Sequence, residues 1–429
     1  MSATHFLKNQ NGRIEFGLLL VTAVFVFVNA IALSLIREDA LTIAHLWAPF
    51  IWLVLMGAAI WLLNQFKPEH DPFIFPILAL FTGWGLILLD RLAANFLDRQ
   101  LIWLTLGTAV CLAVAILPRN LRWIKRYRYT LLIAGLALLA ATLIFGVNPS
   151  GFGAALWLPI PVVGRVFFQP SELLKLLLLI FLASYFDERE SILRLSKENG
   201  RLAALPYLAP LILMWGFCMV LLIWQRDLGA ATLFFMLFLA LLYLATGEKW
   251  YVIGGLILLL LGGVVAYFAF DLVALRIEAW WNPWPDANDR AFQIVQSLYA
   301  LGSGGVLGQG VGQGFPQYIP VVHSDFAFAA IAEEWGLVGS MTVVICFMLL
   351  AQRGLRIALY QKRPFGRYLA AGIVVLFTAQ AFLIMGGVTK LLPLTGVTLP
   401  FVSYGGSSML ISSVMIGLLL YLSTSAMDQ

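Results

Sequence analysis

Twelve apolar runs, most of them near 20 residues long, constrain this chain more than anything else in its sequence. A helix that crosses a bilayer needs roughly 20 apolar residues, with 17–25 usual. Runs of that kind fall near 14–36, 46–63, 73–89, 101–117, 129–147, 173–186, 204–223, 228–246, 250–270, 326–350, 368–390 and 399–422. The shortest, 173–186, is expected to begin earlier, at Pro170. Composition agrees: the 429 residues are 61% hydrophobic and 11% charged, with mean hydropathy +0.91, whereas soluble domains carry about 25% charged residues. The expected fold is an all-α polytopic membrane protein, a bundle of about 12 transmembrane helices. Cys111, Cys218 and Cys346 all sit inside apolar runs, which supports neither a disulfide framework nor a metal cluster. The N-terminal MSATHFLKNQNGRIEF leads into a run with no small-residue cleavage site at its end, so it reads as a retained span rather than a removed signal peptide.

Lys and Arg in the connections set the expected orientation. The loop 118–128 carries Arg119, Arg122, Lys125, Arg126 and Arg128. The loop 187–203 carries four basic residues and 351–367 carries five. With the N-terminus and two short loops, that face holds 18 basic residues against 7 on the other. Both termini are therefore expected in the cytoplasm, and the long connection 271–325 outside. The net charge of +5 is the mark of cytoplasmic loops and gives no reason to expect nucleic acid. Within 271–325, WWNPWPD packs three Trp around two Pro as an interfacial belt would. The run 287–301 places Ala291, Ile294, Val295 and Leu298 on one helical face, which predicts a short helix lying on the membrane surface.

Polar residues then concentrate in five places. QPSELLK (169–175) spaces Gln169, Glu172 and Lys175 close to one helix face. That is either a buried Glu172–Lys175 pair that orients the bundle or a polar wall for an anionic, sugar-bearing ligand. In WQRDLG (224–229), Asp227 can cap the following helix, while Arg226 can hold a phosphate. GSGGVLGQGVGQG (302–314) has no G-x-G-x-x-G register, no Gly-Lys-Ser/Thr and no βαβ surroundings. It is expected to be a flexible or tightly turned loop, with backbone N–H groups available to a phosphate.

His323-Ser324-Asp325 cannot converge as a nucleophilic triad, being consecutive, but Asp325 stands at the start of an apolar run. A helix beginning there puts Glu333 two turns on, on the same face, about 12 Å deeper, with Glu334 about 100° away. Carboxylates at membrane depth are costly and functional by default. The alternative is a helix cap at Asp325 and a Glu pair tied to neighbouring cations. LLPLTGVTLPFVSYGGSSML (391–410), just after Lys390, is an irregular stretch that membrane depth tolerates only against protein or a watery cavity. With the orientation above, all five motifs lie at outer helix ends or in outer loops, which suits chemistry on a lipid-linked substrate at that face. A lipid flippase would spread its polar groups along the whole path, and a scaffold would use them structurally; one polymerisation assay on an Asp325 variant separates the three.

Together, QPSELLK, QRDLGAA, QIVQSLYALGSGGVLGQGVGQG, HSDFAFAAIAEEWGLVG and PLTGVTLPFVSYGGSS resemble the SEDS family (shape, elongation, division and sporulation), over about residues 71–425 and in the family's order. The resemblance implies a peptidoglycan glycosyltransferase that polymerises lipid II into glycan strands on the outer face of the bacterial cytoplasmic membrane. It also implies a class B penicillin-binding protein as transpeptidase partner. The family's essential carboxylate maps to Asp325, its Q-P-S-E-x-x-K motif to Gln169, Ser171, Glu172 and Lys175, and its Q-P-D-L-G motif to Gln225, Asp227 and Gly229, with Arg226 replacing the Pro. The family often has Arg before Trp157; here Leu156 stands there, and Arg165 is the substitute.

A family core of ten spans would start at 73–89, leaving 1–70 as an N-terminal extension and 71–429 as the core. The candidate substrate contacts are then Trp157, Arg165, Gln169, Ser171, Glu172, Lys175, Gln225, Arg226, Asp227, Gln293, Gln296, His323, Glu333, Lys390, Ser403 and Ser407, with Asp325 as catalytic base. A divalent cation, Mg2+ or Mn2+, held by Asp325 with a nearby carboxylate, is expected from the pyrophosphate chemistry and the family.

Overall fold

A computed structural model describes residues 3–38, 43–148, 154–159, 166–195 and 205–427. Every one of the twelve expected spans is a helix. α1 (Ala3–Glu38) and α2 (Trp47–Phe66) are followed by α3 (Ile74–Ala93) and α4 (Leu97–Ile116), which a single 3-10 turn joins. A five-residue helix, α5 (Arg122–Arg126), precedes α6 (Arg128–Phe145). Two-residue strands β1 (Leu158–Pro159) and β2 (Phe167–Phe168) pair antiparallel ahead of α7 (Pro170–Leu195), whose first residue is the expected Pro170. α8 (Leu205–Trp224), α9 (Leu228–Thr246) and α10 (Lys249–Ala269) lead into a connection that holds α11 (Asp271–Trp281), α12 (Phe292–Gly304) and α13 (Val322–Asp325). The chain closes with α14 (Ala327–Tyr360), α15 (Pro364–Val388) and α16 (Gly406–Met427). Ten segments of the described residues are long and apolar enough to cross a membrane, and one of them, Ile74–Ile116, contains both α3 and α4.

The chain divides into two compact units. The first comprises 1–117, 263–353 and 380–429, the second 118–262 and 354–379. In the first unit α1 packs on α2 and α3, α2 on α4, and α4 on α16. Two buried His–carboxylate pairs fix this arrangement at opposite ends of α1 and α2: Glu15 with His70 at 2.6 Å and His45 with Asp90 at 2.7 Å. Between them Trp52 donates to Thr82 at 3.2 Å, and Trp335 of α14 donates to Asn29 of α1 at 3.0 Å. The two helices ahead of residue 71 are thus packed into the same unit as α3 and α4.

α14 is two helices meeting at Gly336, whose φ of 65° lies in the left-handed region that favours glycine. The kink frees backbone groups, and the glycine-rich run takes them up. Leu337 and Val338 donate to the carbonyls of Gly305 and Val306, while Gln309 and Gly310 donate to those of Glu333 and Glu334, all at 2.9–3.1 Å. A Cβ on Gly308 (φ 87°) would strike the Glu334 carbonyl, and one on Gly336 would strike the Gly308 nitrogen. The glycine run is therefore a tightly turned brace that re-satisfies a broken helix.

Three expectations about 271–334 change. The surface helix starts at Phe292 rather than 287, because Asp286 and Asp289 accept turn bonds from Asp289, Ala291 and Phe292 first. Its buried face is the expected one: Ala291, Ile294 and Val295 pack with Ala279, and Leu298 lies against them. The helix α11 was not foreseen. Finally, helical geometry stops at Phe326 (φ −120°, ψ 20°), which buries its ring, so Asp325 ends α13 and does not begin α14. The two-turn register from Asp325 to Glu333 does not hold.

In the second unit α7 packs on α6 and α9, and α8 on α9. Lys175, 2% exposed, pairs with Glu172 at 2.7 Å along α7.

Candidate functional site

Asp325 owes its position to a clamp from the irregular segment between α15 and α16. Val321, in the left-handed region (φ 57°), turns the chain into α13. Ser403 then donates to the Ser324 carbonyl at 2.5 Å and accepts from the Leu399 N–H at 3.1 Å. Tyr404 N–H donates to the His323 carbonyl at 2.9 Å. The His323 ring stacks on Phe96, centroids 5.3 Å apart, and Phe96 packs on Tyr404 at 4.8 Å. The one-turn helix is gripped on its carbonyl side and along one ring face.

What remains available is the Asp325 carboxyl. Ser324 donates to it at 2.7 Å. Burial raises its pKa above the ordinary aspartate value, opposed by the Ser324 hydrogen bond and by the Arg276 charge. Burial likewise lowers the pKa of His323, favouring neutral imidazole. Arg276 comes from α11, where its guanidinium donates to the Thr395 carbonyl at 3.2 Å beside Gly396. It is the functional residue that sequence reasoning missed. It is one of two basic residues in the 271–325 connection, with Arg290, and nothing in the sequence singles it out.

The clamp continues outward. Gln380 donates to the Thr398 carbonyl at 2.8 Å, Trp280 to the Lys390 carbonyl at 3.1 Å and Ser297 of α12 to the Val388 carbonyl at 3.3 Å. Lys390 itself is left-handed (φ 60°) and partly buried. Gln293 and Gln296 are partly buried on α12, one turn apart, and Ser407 is buried in the first turn of α16. An elongated polar face of α11, α12, α13 and the 389–405 segment thus belongs to one unit.

Other sequence candidates serve the fold. Glu333 accepts the Phe315 N–H at 2.7 Å, and Glu334 accepts from Arg91 and from the Gly312 N–H, both at 3.1 Å. The Glu pair anchors the glycine brace. Gln225 donates to the Leu139 carbonyl and to Thr142, both at 2.5 Å, tying the end of α8 to α6. Asp227 is the N-cap of α9, accepting from Ala230 N–H at 3.1 Å. The cap at Asp227 is the alternative its motif offered, and the Gln225 contacts hold α8 to α6.

Arg226 is exposed and left-handed (φ 60°). In the second unit Gln169 donates to Ser171 at 3.1 Å beside the Glu172–Lys175 pair, and Trp157 bridges to Val147. Arg165 lies outside the described residues. No group of three or more His, Cys, Asp and Glu converges among the described residues.

A family model described as a cell cycle protein, covering FtsW, RodA and SpoVE, matches residues 73–428. A peptidoglycan glycosyltransferase RodA from Mycobacterium tuberculosis H37Rv is 35% identical over 392 residues, covering 87% of this chain and 82% of that one. A probable peptidoglycan glycosyltransferase FtsW from Geobacter metallireducens is 36% identical over 331 residues, covering 77% and 85%. Among solved structures, a chain of a peptidoglycan synthase complex, in which polymerization and crosslinking are coordinated, aligns with TM-score 0.69 at 26% identity. It covers 84% of this chain and 99% of its own. The crystal structure of Thermus thermophilus RodA aligns with TM-score 0.59 at 27% identity, covering 82% and 96%.

Proposed function

The chain belongs to the FtsW/RodA/SpoVE family of SEDS peptidoglycan glycosyltransferases, and from that premise we propose that it polymerises lipid II with Asp325 as the catalytic base. The observation that carries the assignment is a carboxyl with a raised pKa, held rigidly at the end of α13 with a serine hydroxyl beside it and a guanidinium in its field. A base works best when its pKa lies near the working pH, and such catalysis is worth about 10²–10⁴-fold. Asp325 takes the proton from the 4-hydroxyl of the acceptor GlcNAc. That oxygen attacks the anomeric carbon of the donor's MurNAc, and undecaprenyl pyrophosphate leaves with inversion.

A leaving pyrophosphate calls for positive charge, and Lys175, Arg165 and Arg226 are the residues that the family resemblance offers for it. Gln293, Gln296 and Lys390 are assigned to the sugar–pyrophosphate ligand, and Ser403 to positioning Asp325. A Mg2+ or Mn2+ ion is expected on Asp325 with a nearby carboxylate; among the described residues no group of three or more His, Cys, Asp and Glu converges, and no step above passes through an ion.

The basic bias of the loops supports cytoplasmic termini and an active site on the outer face of a bacterial inner membrane. Similarity to a chain of a synthase complex that couples polymerisation to crosslinking supports a class B penicillin-binding protein as partner. Serving elongation or division, the enzyme would hand it nascent glycan strands. The test uses purified protein with its transpeptidase and lipid II in detergent. Wild type is expected to make glycan strands and Asp325→Ala none; strands undiminished in the variant would remove Asp325 from the chemistry.

A further inference from the structure

We propose that a basic pocket formed by α5, α6 and α7 binds the phosphate-bearing headgroup of an anionic phospholipid. The cavity, about 390 Å³, is lined by Arg122, Lys125, Arg126, Arg128, Tyr129 and Glu188. Its volume lies within the range of small-ligand sites, about 300–1,000 Å³. Four cations face one carboxylate. Two of the four are already fixed by acids of α7: Lys125 pairs with Asp187, and Arg128 with Glu188 at 2.5 Å while also donating to Ser184 at 3.0 Å. Arg122 and Arg126 are exposed and have no carboxylate partner among the described residues. The pocket therefore offers two forked guanidinium groups, each matched to the paired oxygens of a phosphodiester, against a wall whose own negative charge is neutralised.

The surroundings decide what carries the phosphate. Leu121 and Ile124 are buried and root α5, while Trp123, Tyr127 and Tyr129 stand exposed beside the cations. Aromatic rings interleaved with Arg and Lys at the ends of spans are the composition of a membrane–water interface. Tyr129 lines the pocket, and Ile133, one turn further along the same face of α6, is exposed. A ligand seated on the guanidinium groups thus has apolar helix surface beside it for its acyl chains. A free anion would use only the first of these features, and an acidic peptide has no use for the second. The proposal depends neither on which leaflet this face meets nor on the chemistry at Asp325.

Each cation near an anionic lipid surface contributes ~1 kcal/mol, about five-fold in affinity, so loss of both unpaired arginines is expected to weaken binding roughly 30-fold. The full-length protein, stripped of lipid in detergent, is titrated with dioleoyl-phosphatidylglycerol or dioleoyl-phosphatidylcholine, and bound lipid is counted by native mass spectrometry. Wild type is expected to prefer phosphatidylglycerol, and Arg122→Gln/Arg126→Gln to lose that preference. A control with the same charge change on the same basic face, Lys362→Gln/Arg363→Gln, should keep it. Equal unfolding temperatures in phosphatidylcholine nanodiscs show that all three are folded. Equal loss in both double variants, or none in either, overturns the proposal. So does displacement of the lipid by glycerol 3-phosphate or a polyglutamate peptide at matched concentration.

Discussion

Two regions of one stretch, barely ten residues apart, carry carboxylates at an apolar boundary, of which the sequence favours Asp325 for chemistry. At Glu333 and Glu334 the acids are consumed by the fold: backbone N–H groups of Gly312 and Phe315 and the Arg91 guanidinium converge on them. At Asp325 the relation is reversed. Backbone carbonyls of the residues just before it are held by Ser403 and Tyr404, while its own carboxyl receives a single hydroxyl. The lesson is that burial and charge do not separate a working acid from a supporting one. What separates them is whether the fold's own donors are aimed at the carboxylate or at the backbone that carries it.

The largest effect that sharpens this contrast is on turnover. Asp325→Asn keeps the size and most of the packing, and should lower strand synthesis about 10²–10⁴-fold, the range for a lost general base, with an unchanged unfolding temperature. Glu334→Ala should do the opposite. Removing one partner of a buried ion pair costs about 3–5 kcal/mol, so a melt in detergent should show a lower transition, while each molecule still folded turns over normally. A variant that melts like wild type but fails in catalysis would move Glu334 into the functional class.

A smaller effect tests a second group used by the fold. Burial lowers the pKa of His70, but the hydrogen bond and charge of Glu15 more than offset that, and the net shift is upward. A raised histidine contributes its stability fully below 6.5, and loses it as pH rises through the raised value. His70→Gln should cost about 1.5–3 kcal/mol, typical of a charge-assisted hydrogen bond, and abolish that alkaline decline in thermal unfolding. The smallest effect belongs to Arg276. Its charge lowers the Asp325 pKa, so Arg276→Gln should raise it further and move the acid limb of the rate profile to higher pH. The loss should be several-fold at the acid end and vanish at the alkaline plateau.

Most of the fold was legible because hydropathy answers one physical question at a time: twenty apolar residues in hydrocarbon have few options but to close their own hydrogen bonds in a helix. What stayed hidden were features set by neighbours remote in sequence. α11 mixes Asp271, Arg276 and Glu278 with aliphatic residues, ends in two tryptophans and carries no span-length signal. The kink at Gly336 depends on a glycine brace docking from about thirty residues upstream, and the interruption at Phe326 on burial of its ring. Asp325 was visible as an acid at an apolar boundary. Its clamp was visible only as a Ser/Thr-rich break after Lys390, and Arg276 not at all, since nothing in DLVALRIEAWW says that its guanidinium reaches Thr395.

The most direct measurement of the central claim is the pH–rate profile of lipid II polymerisation for wild type and Asp325→Asn, each with the same transpeptidase. If Asp325 is the base, the wild-type rate rises with pH along an acid limb set by a carboxyl above the ordinary aspartate value of 3.8, and the residual rate of the Asn variant shows no such limb. An Asn variant that polymerises at the wild-type rate, with the same acid limb, would contradict the account.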